Sequence, residues 1–261
     1  MTISLGNALK SVIADEHWIK KTLIGGLISL VVLIGTGMME AKGISAAVRI
    51  TGIALYLIFG SFLLGFVIST VNKKLNNGLI GWSEWSEPNI MQKGLKFIFS
   101  YIVYTIVITI LFACLVVAFT IIFGLVIGLI GYLINLALHL PTQFAGALLG
   151  LLFTVVFIII LLYFMQFISA ALVSYYKNQK FHDLMALKKH YRMIKENQHA
   201  AWTLVGKTIL FTLLFALIFI VACITIIGVI AIPFIYFVSR MALIDLYNQY
   251  GKEIDVDKYL A

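Results

Sequence analysis

Charge is what this sequence lacks most. Of its 261 residues only 11% are Asp, Glu, Lys or Arg, and none occurs from Phe97 to Tyr176, a run of 80 residues. Soluble domains carry roughly 25% charged residues, so they cannot accommodate an uncharged run of this length. With 62% hydrophobic residues and a mean hydropathy of +1.06, the missing charge excludes a soluble protein and predicts a membrane protein.

Cysteine and catalytic motifs are also scarce. The two cysteines, Cys114 and Cys223, lie far apart in apolar runs, so we expect small buried apolar side chains rather than a disulfide or metal pair. The five histidines form no H-E-x-x-H pair, and the chain has no G-x-S-x-G, Walker or G-x-G-x-x-G motif. We therefore predict no catalytic residues, no cofactor, no metal site and no enzyme activity.

The apolar runs that remain predict transmembrane helices, each of which needs about 20 apolar residues. The connections between the runs are too short for a separate soluble domain. We predict an all-α polytopic transmembrane bundle of about six spans in three hairpins, forming a single integral membrane domain over residues 1–261. The predicted spans are roughly 21–38, 49–71, 97–123, 147–175, 203–227 and 229–249.

The last two spans are the least certain part of this division. Only 32 uncharged residues separate Lys207 from Arg240, which is long for one helix and short for two. Two crossings fit if the backbone turns near Gly228 and Pro233. A single tilted span would instead leave the C-terminus on the opposite side. We favour two spans.

The basic residues predict the orientation. In the six-span arrangement 17 of the 19 basic residues fall on one side, and only Lys42 and Arg49 fall on the other. The positive-inside rule then places both termini in the cytoplasm and the protein in the cell membrane. The four tryptophans lie at the cytoplasmic ends of spans, where we expect them to act as interfacial anchors.

The uncharged run is longer than two crossings need. As helix, 80 residues would measure ~120 Å, twice what two crossings of ~30 Å require. We expect residues 124–145 to form an apolar outer connection that lies in the outer leaflet or dips back into it, with glycines as breaks. The alternative is an antiparallel hairpin turning near Ala137, with glycines at the helix contact. It would set Gly124 against Gly150 and Gly128 against Gly146.

Two stretches have the pattern of amphipathic helices lying on the cytoplasmic surface. The N-terminal run is one. In the other, apolar residues recur at three- and four-residue spacing from Phe181 to Ile194, and basic residues cover the opposite face. This basic face predicts contact with anionic lipid headgroups, although a helix that binds a protein partner would look similar. The basic residues are Lys188, Lys189, Arg192 and Lys195.

Arg240 is the only charged residue predicted well inside a span. Asp245 lies five residues on, ~140° round a helix, so the two do not share a face well. Either Arg240 snorkels to the interface, or it is buried and meets a headgroup phosphate or a polar group of another helix. We regard Arg240 and Asp245 as a candidate buried polar site.

The entry to the first span carries Asp15, Glu16, Trp18, Lys20 and Lys21, followed by Ile24-Gly25-Gly26. A tryptophan-containing acidic loop at 81–87 leads to Gly94-Leu95-Lys96. This order resembles the domain of unknown function 4013 family of prokaryotic membrane proteins. The resemblance implies a multi-pass bacterial or archaeal membrane protein, and it offers no established activity and no catalytic residues to carry over.

These observations favour a non-enzymatic integral membrane protein that organises or binds lipids or partner membrane proteins. The expected partners are membrane lipids, through anionic headgroups at the cytoplasmic face, with a membrane-protein partner or a second copy of the chain left open. The net charge of +8 is assigned to lipid contact rather than to nucleic acid. The alternative is a transporter or channel for a neutral or hydrophobic solute, with Arg240 as its polar determinant.

Overall fold

The computed structural model of the protein describes residues 3–78, 81–138 and 142–260, and in these ranges the chain forms helices and no strand. The helices are α1 (Leu5–Ile13), α2 (Trp18–Glu40), α3 (Ala46–Asn77), α4 (Ile90–Leu138), α5 (Thr142–Asn178), α6 (Phe181–Met185), α7 (Leu187–Glu196), α8 (Gln198–Ile224), α9 (Ile226–Glu253) and α10 (Asp257–Leu260).

Six of these helices, α2, α3, α4, α5, α8 and α9, are long and apolar enough to cross a membrane. The predicted all-α polytopic bundle of about six spans is confirmed, and the chain is a multi-pass membrane protein. Consecutive long helices pack as the hairpins α2–α3, α4–α5 and α8–α9, while α4 also packs on α3 and α9 on α2. We call the end where α2, α4 and α8 begin and α3, α5 and α9 finish the basic end.

The last two spans are separate helices, as favoured from the sequence, but the turn lies earlier than expected. α8 finishes at Ile224 and α9 begins at Ile226, so the break is at Thr225, whose hydroxyl accepts a hydrogen bond from the Gly228 backbone N–H at 3.0 Å. A Cβ on Gly228 would overlap the Ala222 carbonyl oxygen. Pro233 lies within α9 and does not interrupt it.

The uncharged run forms two long helices, α4 and α5, and this differs from the outer connection that we predicted. α4 contains 49 residues and is continuous to Leu138, which makes it ~73 Å long. Residues 139–141 lie outside the described residues, and α5 begins at Thr142. The predicted outer connection over 124–145 is therefore wrong for residues 124–138, because Gly124 and Gly128 do not break α4.

Aromatic side chains, not glycines, join α4 to α5. Phe112 packs on Phe164 with ring centroids 4.5 Å apart, and Phe119 packs on Phe153 at 5.5 Å. These contacts have the register of the antiparallel hairpin centred near Ala137 that the alternative predicts; residues 139–141, between the two helices, lie outside the described residues.

Three of the four glycines lack the contacts that the alternative hairpin predicts for them. Among the described residues, nothing lies within 4 Å of a Cβ built on Gly124, Gly128 or Gly150, so the pairing of Gly124 with Gly150 is wrong. The pairing of Gly128 with Gly146 involves a residue outside those whose packing the structure describes.

Close helix approach occurs instead where α3 crosses α4. A Cβ on Gly65 would overlap the Ile90 carbonyl oxygen, and a Cβ on Gly94 would overlap that of Ser61. The two backbones touch here as in small-residue contacts between membrane helices. These glycines therefore set the crossing that places α4 against the bundle.

Two tryptophans predicted as interfacial anchors are packed inside the protein instead. Residues 81–89, which precede α4, fold back over the basic end, and Trp82 is 3% exposed, with its ring 5.5 Å from that of Phe237. Trp85 stacks on Phe66 at 3.8 Å and donates its indole N–H to the Lys21 carbonyl. Trp82 and Trp85 therefore hold the loop on α2, α3 and α9.

Two buried ion pairs close the basic end. Lys21 Nζ lies 3.0 Å from Asp15 Oδ2, and the same carboxylate oxygen accepts the Trp82 N–H at 2.7 Å. Lys74 Nζ lies 2.9 Å from Asp245 Oδ1, which joins α3 to α9. Each of these four side chains is at most 7% exposed, so each charge depends on its partner.

The N-terminal helix packs on protein and does not lie freely on the membrane surface. Ala8 and Val12 of α1 are buried, and α1 packs on α9. Ser4 N–H donates to Gln249 Oε1 at 2.7 Å, while Gln249 Nε2 donates to Asp245 Oδ2 at 2.9 Å. The amphipathic pattern predicts a helix here, and α1 is that helix, but its apolar face is covered by the chain itself.

The second predicted amphipathic helix is broken into α6 and α7 at Ala186. Leu184 and Ile194 are buried against the bundle, whereas Tyr191 is 56% exposed. On the buried face of α7, the Met193 sulfur accepts a hydrogen bond from Ser174 of α5. α7 therefore uses most of its apolar face to dock on the protein.

Buried His190 makes this docking sensitive to acid. Its side chain is 0% exposed, and Nε2 lies 2.9 Å from the Asp183 carbonyl oxygen. Burial lowers the pKa of His190 from 6.5 to about 4, although the Asp183 carbonyl and carboxylate favour the charged form. The His190 imidazole therefore binds a proton more weakly in the folded protein than in the unfolded chain.

The first prediction concerns the α3–α4 crossing. Gly94→Ala should lower the free energy of unfolding by about 1–3 kcal/mol or prevent folding, because the methyl group has no space beside Ser61. Unfolding in mixed detergent micelles, followed by tryptophan fluorescence, measures the change. Gly124→Ala is the matched control, since its Cβ meets no described atom; equal losses in the two variants would contradict the crossing.

The second prediction concerns pH. The pKa of His190 is depressed in the folded protein. Its contribution to the free energy of unfolding is therefore complete above pH 6.5 and is lost as the pH falls toward 4. At pH 5 the loss should be about 2 kcal/mol, seen as a lower thermal midpoint than at pH 7. The His190→Gln variant should lose much less free energy of unfolding between pH 7 and pH 5. An unchanged pH dependence in this variant would refute the assignment.

Candidate functional site

The outer face of α7 carries the basic side chains singled out in the sequence. Because His190, Met193 and Ile194 anchor one side of the helix, the basic residues are directed away from the core. They border a shallow groove of about 600 Å³. The groove is lined by Lys188, Lys189, Tyr191, Arg192, Lys195 and Glu196.

The four basic residues are not equivalent. Arg192 Nε lies 2.8 Å from Glu196 Oε1, and Glu196 also accepts hydrogen bonds from Lys258 and Tyr259. The hydrogen bonds from Arg192, Lys258 and Tyr259 lower the pKa of Glu196 to about 2, so it remains charged. Arg192 is therefore already partly neutralised.

The three lysines lack such a partner. In the described ranges, no carboxylate oxygen lies within 4.0 Å of the Nζ atoms of Lys188, Lys189 or Lys195. Lys188 and Lys195 are exposed, and Lys189 is partly exposed. These are the positive charges available to an anionic group from outside the protein.

A second groove, of about 440 Å³ and almost wholly apolar, adjoins the basic one. α4 and α5 form its walls, and α7 closes one end of it. It is lined by Ile108, Leu111, Phe112, Leu115, Phe164, Phe167, Leu187, Lys188 and Tyr191.

Lys188 and Tyr191 border both grooves. A molecule lying across this junction would meet lysine ammonium groups at one end and aromatic and aliphatic side chains at the other. That distribution matches an amphiphile with an anionic head and a hydrocarbon tail. The tail would be shielded by Phe112 and Phe167, while the head would stay close to water.

The other predicted polar site is divided between two places. Asp245 is buried in its pair with Lys74 and does not meet Arg240. Arg240 is exposed, so its predicted burial is wrong; it donates from Nη2 to the Tyr236 hydroxyl at 2.8 Å and lines a separate cavity. The sequence spacing that placed the two on different faces of the helix is thus reflected in their partners.

The apolar half of the candidate site is what sequence reasoning missed. Phe112 and Phe167 lie in uniformly apolar helices, where no pattern distinguishes them from their neighbours. Tyr191 carried the only usable signal, because it follows Lys188 by three residues and so lies beside it on a helix. The cysteines, by contrast, were expected to be buried, and both Cys114 and Cys223 are exposed on the protein surface.

Comparison of the chain with models of known protein families gives no match, and comparisons with curated proteins and with solved structures give none either.

Proposed function

We propose that the protein is a non-enzymatic lipid-binding protein of a prokaryotic cytoplasmic membrane. Its specific ligand is an anionic phospholipid of the cytoplasmic leaflet, held with the headgroup on the α7 lysines and an acyl chain in the groove between α4, α5 and α7. Membership of the domain of unknown function 4013 family and a cytoplasmic N-terminus are parts of this proposal.

The observation that carries the proposal is the junction of the two grooves at Lys188 and Tyr191. Basic residues near a membrane surface attract anionic lipids with ~1 kcal/mol each, but that attraction alone selects no position. An adjoining apolar groove does select a position, because the acyl chain must lie in the groove while the headgroup is bound by the lysines. Each groove lies within the range of about 300–1,000 Å³ that is usual for ligand pockets, so the basic groove can take a headgroup and the apolar groove an acyl chain.

The charge distribution supports the cytoplasmic orientation. Lys21, Lys74, Lys93 and Lys177 all lie at the basic end of the bundle, on the side expected to face the cytoplasm. Anionic lipid in the inner leaflet would meet α7 there. The alternative, a transporter or channel for a neutral or hydrophobic solute, stays a prediction, and the junction of the grooves favours lipid binding over it.

The third prediction tests the headgroup site. Substitution of Lys188, Lys189 and Lys195 by Gln should weaken retention of phosphatidylglycerol by about 100-fold, given ~1 kcal/mol for each lysine. Native mass spectrometry of the full chain released from mixed-lipid nanodiscs measures retention. Arg192→Gln alone should have a smaller effect, because Glu196 already pairs with Arg192.

The matched control removes three charges elsewhere. Lys10, Lys20 and Lys252 are exposed and lie outside both grooves, so their substitution by Gln should leave retention close to that of the wild type. If both triple variants lose phosphatidylglycerol equally, binding is general charge attraction and the site is wrong.

The fourth prediction tests the chain groove without altering charge. Leu111→Trp should fill the apolar groove, since Leu111 lines it and is 46% exposed. Retention of phosphatidylglycerol should fall while the net charge and the thermal midpoint stay unchanged. Wild-type retention in Leu111→Trp would mean that the acyl chain does not lie in this groove.

A further inference from the structure

A partly enclosed cavity of about 320 Å³, which shares no lining residue with the α7 grooves, lies among α2, α3, α4, α5 and α9. Its wall is mainly aliphatic, with tyrosine rings from four helices. The only charged residue that lines it in the described part of the chain is Arg240. The tyrosines are Tyr56, Tyr101, Tyr176, Tyr236 and Tyr247.

Arg240 is placed differently from the other charges of the bundle. It lies near the middle of α9, ~7.5 Å along the helix from Asp245 and farther from the basic end. A charge within a transmembrane segment is costly and is expected to be paired or to serve a function. An anionic partner is therefore expected beside Arg240.

The protein does not supply that partner among the described residues. No carboxylate oxygen of the described residues lies within 4.0 Å of Arg240, whereas Lys21 pairs with two carboxylates and Lys74 with one. The nearby carboxylate of Asp245 is occupied by Lys74 and Gln249. Of the five N–H donors of the guanidinium, one bonds Tyr236, and the ring of the same tyrosine lies 5.0 Å from Cζ.

Tyr236 holds the guanidinium at the cavity wall. Its hydroxyl and ring together fix the side chain by a hydrogen bond and a cation–π contact. The remaining donors of Arg240 are suited to a carboxylate or a phosphate, which a guanidinium can bind through two parallel hydrogen bonds. Beyond Arg240, the aliphatic side chains and tyrosine rings of the wall offer contacts for a hydrocarbon, and tyrosine hydroxyls also line the cavity.

The volume limits the size of the ligand. Ligand cavities usually measure about 300–1,000 Å³, so this one is at the small end of the range. It suits one hydrocarbon chain better than a lipid with two. We propose that the Arg240 cavity binds an amphiphile with a single chain and an anionic head, such as a fatty carboxylate or a lysophospholipid, with the head on Arg240.

The proposal is independent of the α7 grooves, because the two sites share no lining residue. Loss of phosphatidylglycerol from the α7 lysines would leave the Arg240 cavity intact. Loss of the ligand from the Arg240 cavity would likewise leave the α7 grooves intact. The proposed α7 site and the proposed Arg240 site can therefore each be refuted without the other.

The test uses the delipidated full chain and three probes: hexadecanoate, lysophosphatidylglycerol and uncharged hexadecanol. Binding at neutral pH is measured by titration with native mass spectrometry. One anionic probe should bind about tenfold or more tightly than hexadecanol, because a hydrogen bond to a charged group is lost with the alcohol. Preference for hexadecanoate identifies a carboxylate ligand, and preference for lysophosphatidylglycerol identifies a phosphate ligand.

Three variants locate the binding. Arg240→Gln should weaken binding of the preferred anionic probe about tenfold or more, and Arg240→Lys should retain part of the affinity, since it keeps the charge but not the paired donors. Gly60→Leu should block the cavity without touching Arg240, because Gly60 lines it and no described atom lies within 4 Å of a Cβ there. Thermal midpoints of the three variants check that they fold.

Three results would overturn the proposal. Equal binding of hexadecanol and the anionic probes would show that Arg240 does not select charge. Wild-type affinity in folded Arg240→Gln or Gly60→Leu would place the ligand elsewhere and leave Arg240 a snorkelling residue. Loss of binding in the variant with Gln at Lys188, Lys189 and Lys195 would assign the probe to the α7 surface instead.

Discussion

The buried Lys74–Asp245 ion pair is the interaction on which the packing of the basic end depends. It joins α3 to α9, and Gln249 connects the same carboxylate to Ser4 before α1. Removing one partner of such a pair typically costs 3–5 kcal/mol, because the other charge is left without a counter-ion. The basic end is therefore closed by specific polar contacts, and α2, α3 and α9 are fixed there.

Where the structure describes its side chains, the α4–α5 hairpin has no comparable interaction along its uncharged length. It is joined by aromatic contacts such as Phe112 with Phe164. In the most apolar 18-residue stretch of each helix, only 6% is buried inside the protein. Its side chains are left for lipid to cover. The apolar groove beside α7 is a consequence, because α7 docks through His190 and Met193 and covers only part of this surface.

The six spans could be predicted because each needs a long apolar run, and the runs are plain in the sequence. The contacts between spans could not. Gly65 and Gly94 touch neighbouring backbone, whereas Gly124 and Gly128 do not, and their local sequences are similarly apolar. Which glycine is at a crossing depends on which helices meet, and Lys74 and Asp245 likewise pair across 171 positions. The basic half of the candidate site was predictable from the lysines of α7; the apolar half, drawn from α4 and α5, was not.

The central claim is that an anionic phospholipid occupies one defined position on this protein. Photo-crosslinking with a phosphatidylglycerol that carries a diazirine in its acyl chain, followed by peptide mapping, tests it most directly. Crosslinks should concentrate on the segments containing Leu111 and Phe167, with a neutral phosphatidylcholine probe giving no such concentration. Even labelling along the whole exposed surface of α4 and α5 by both probes would contradict the claim.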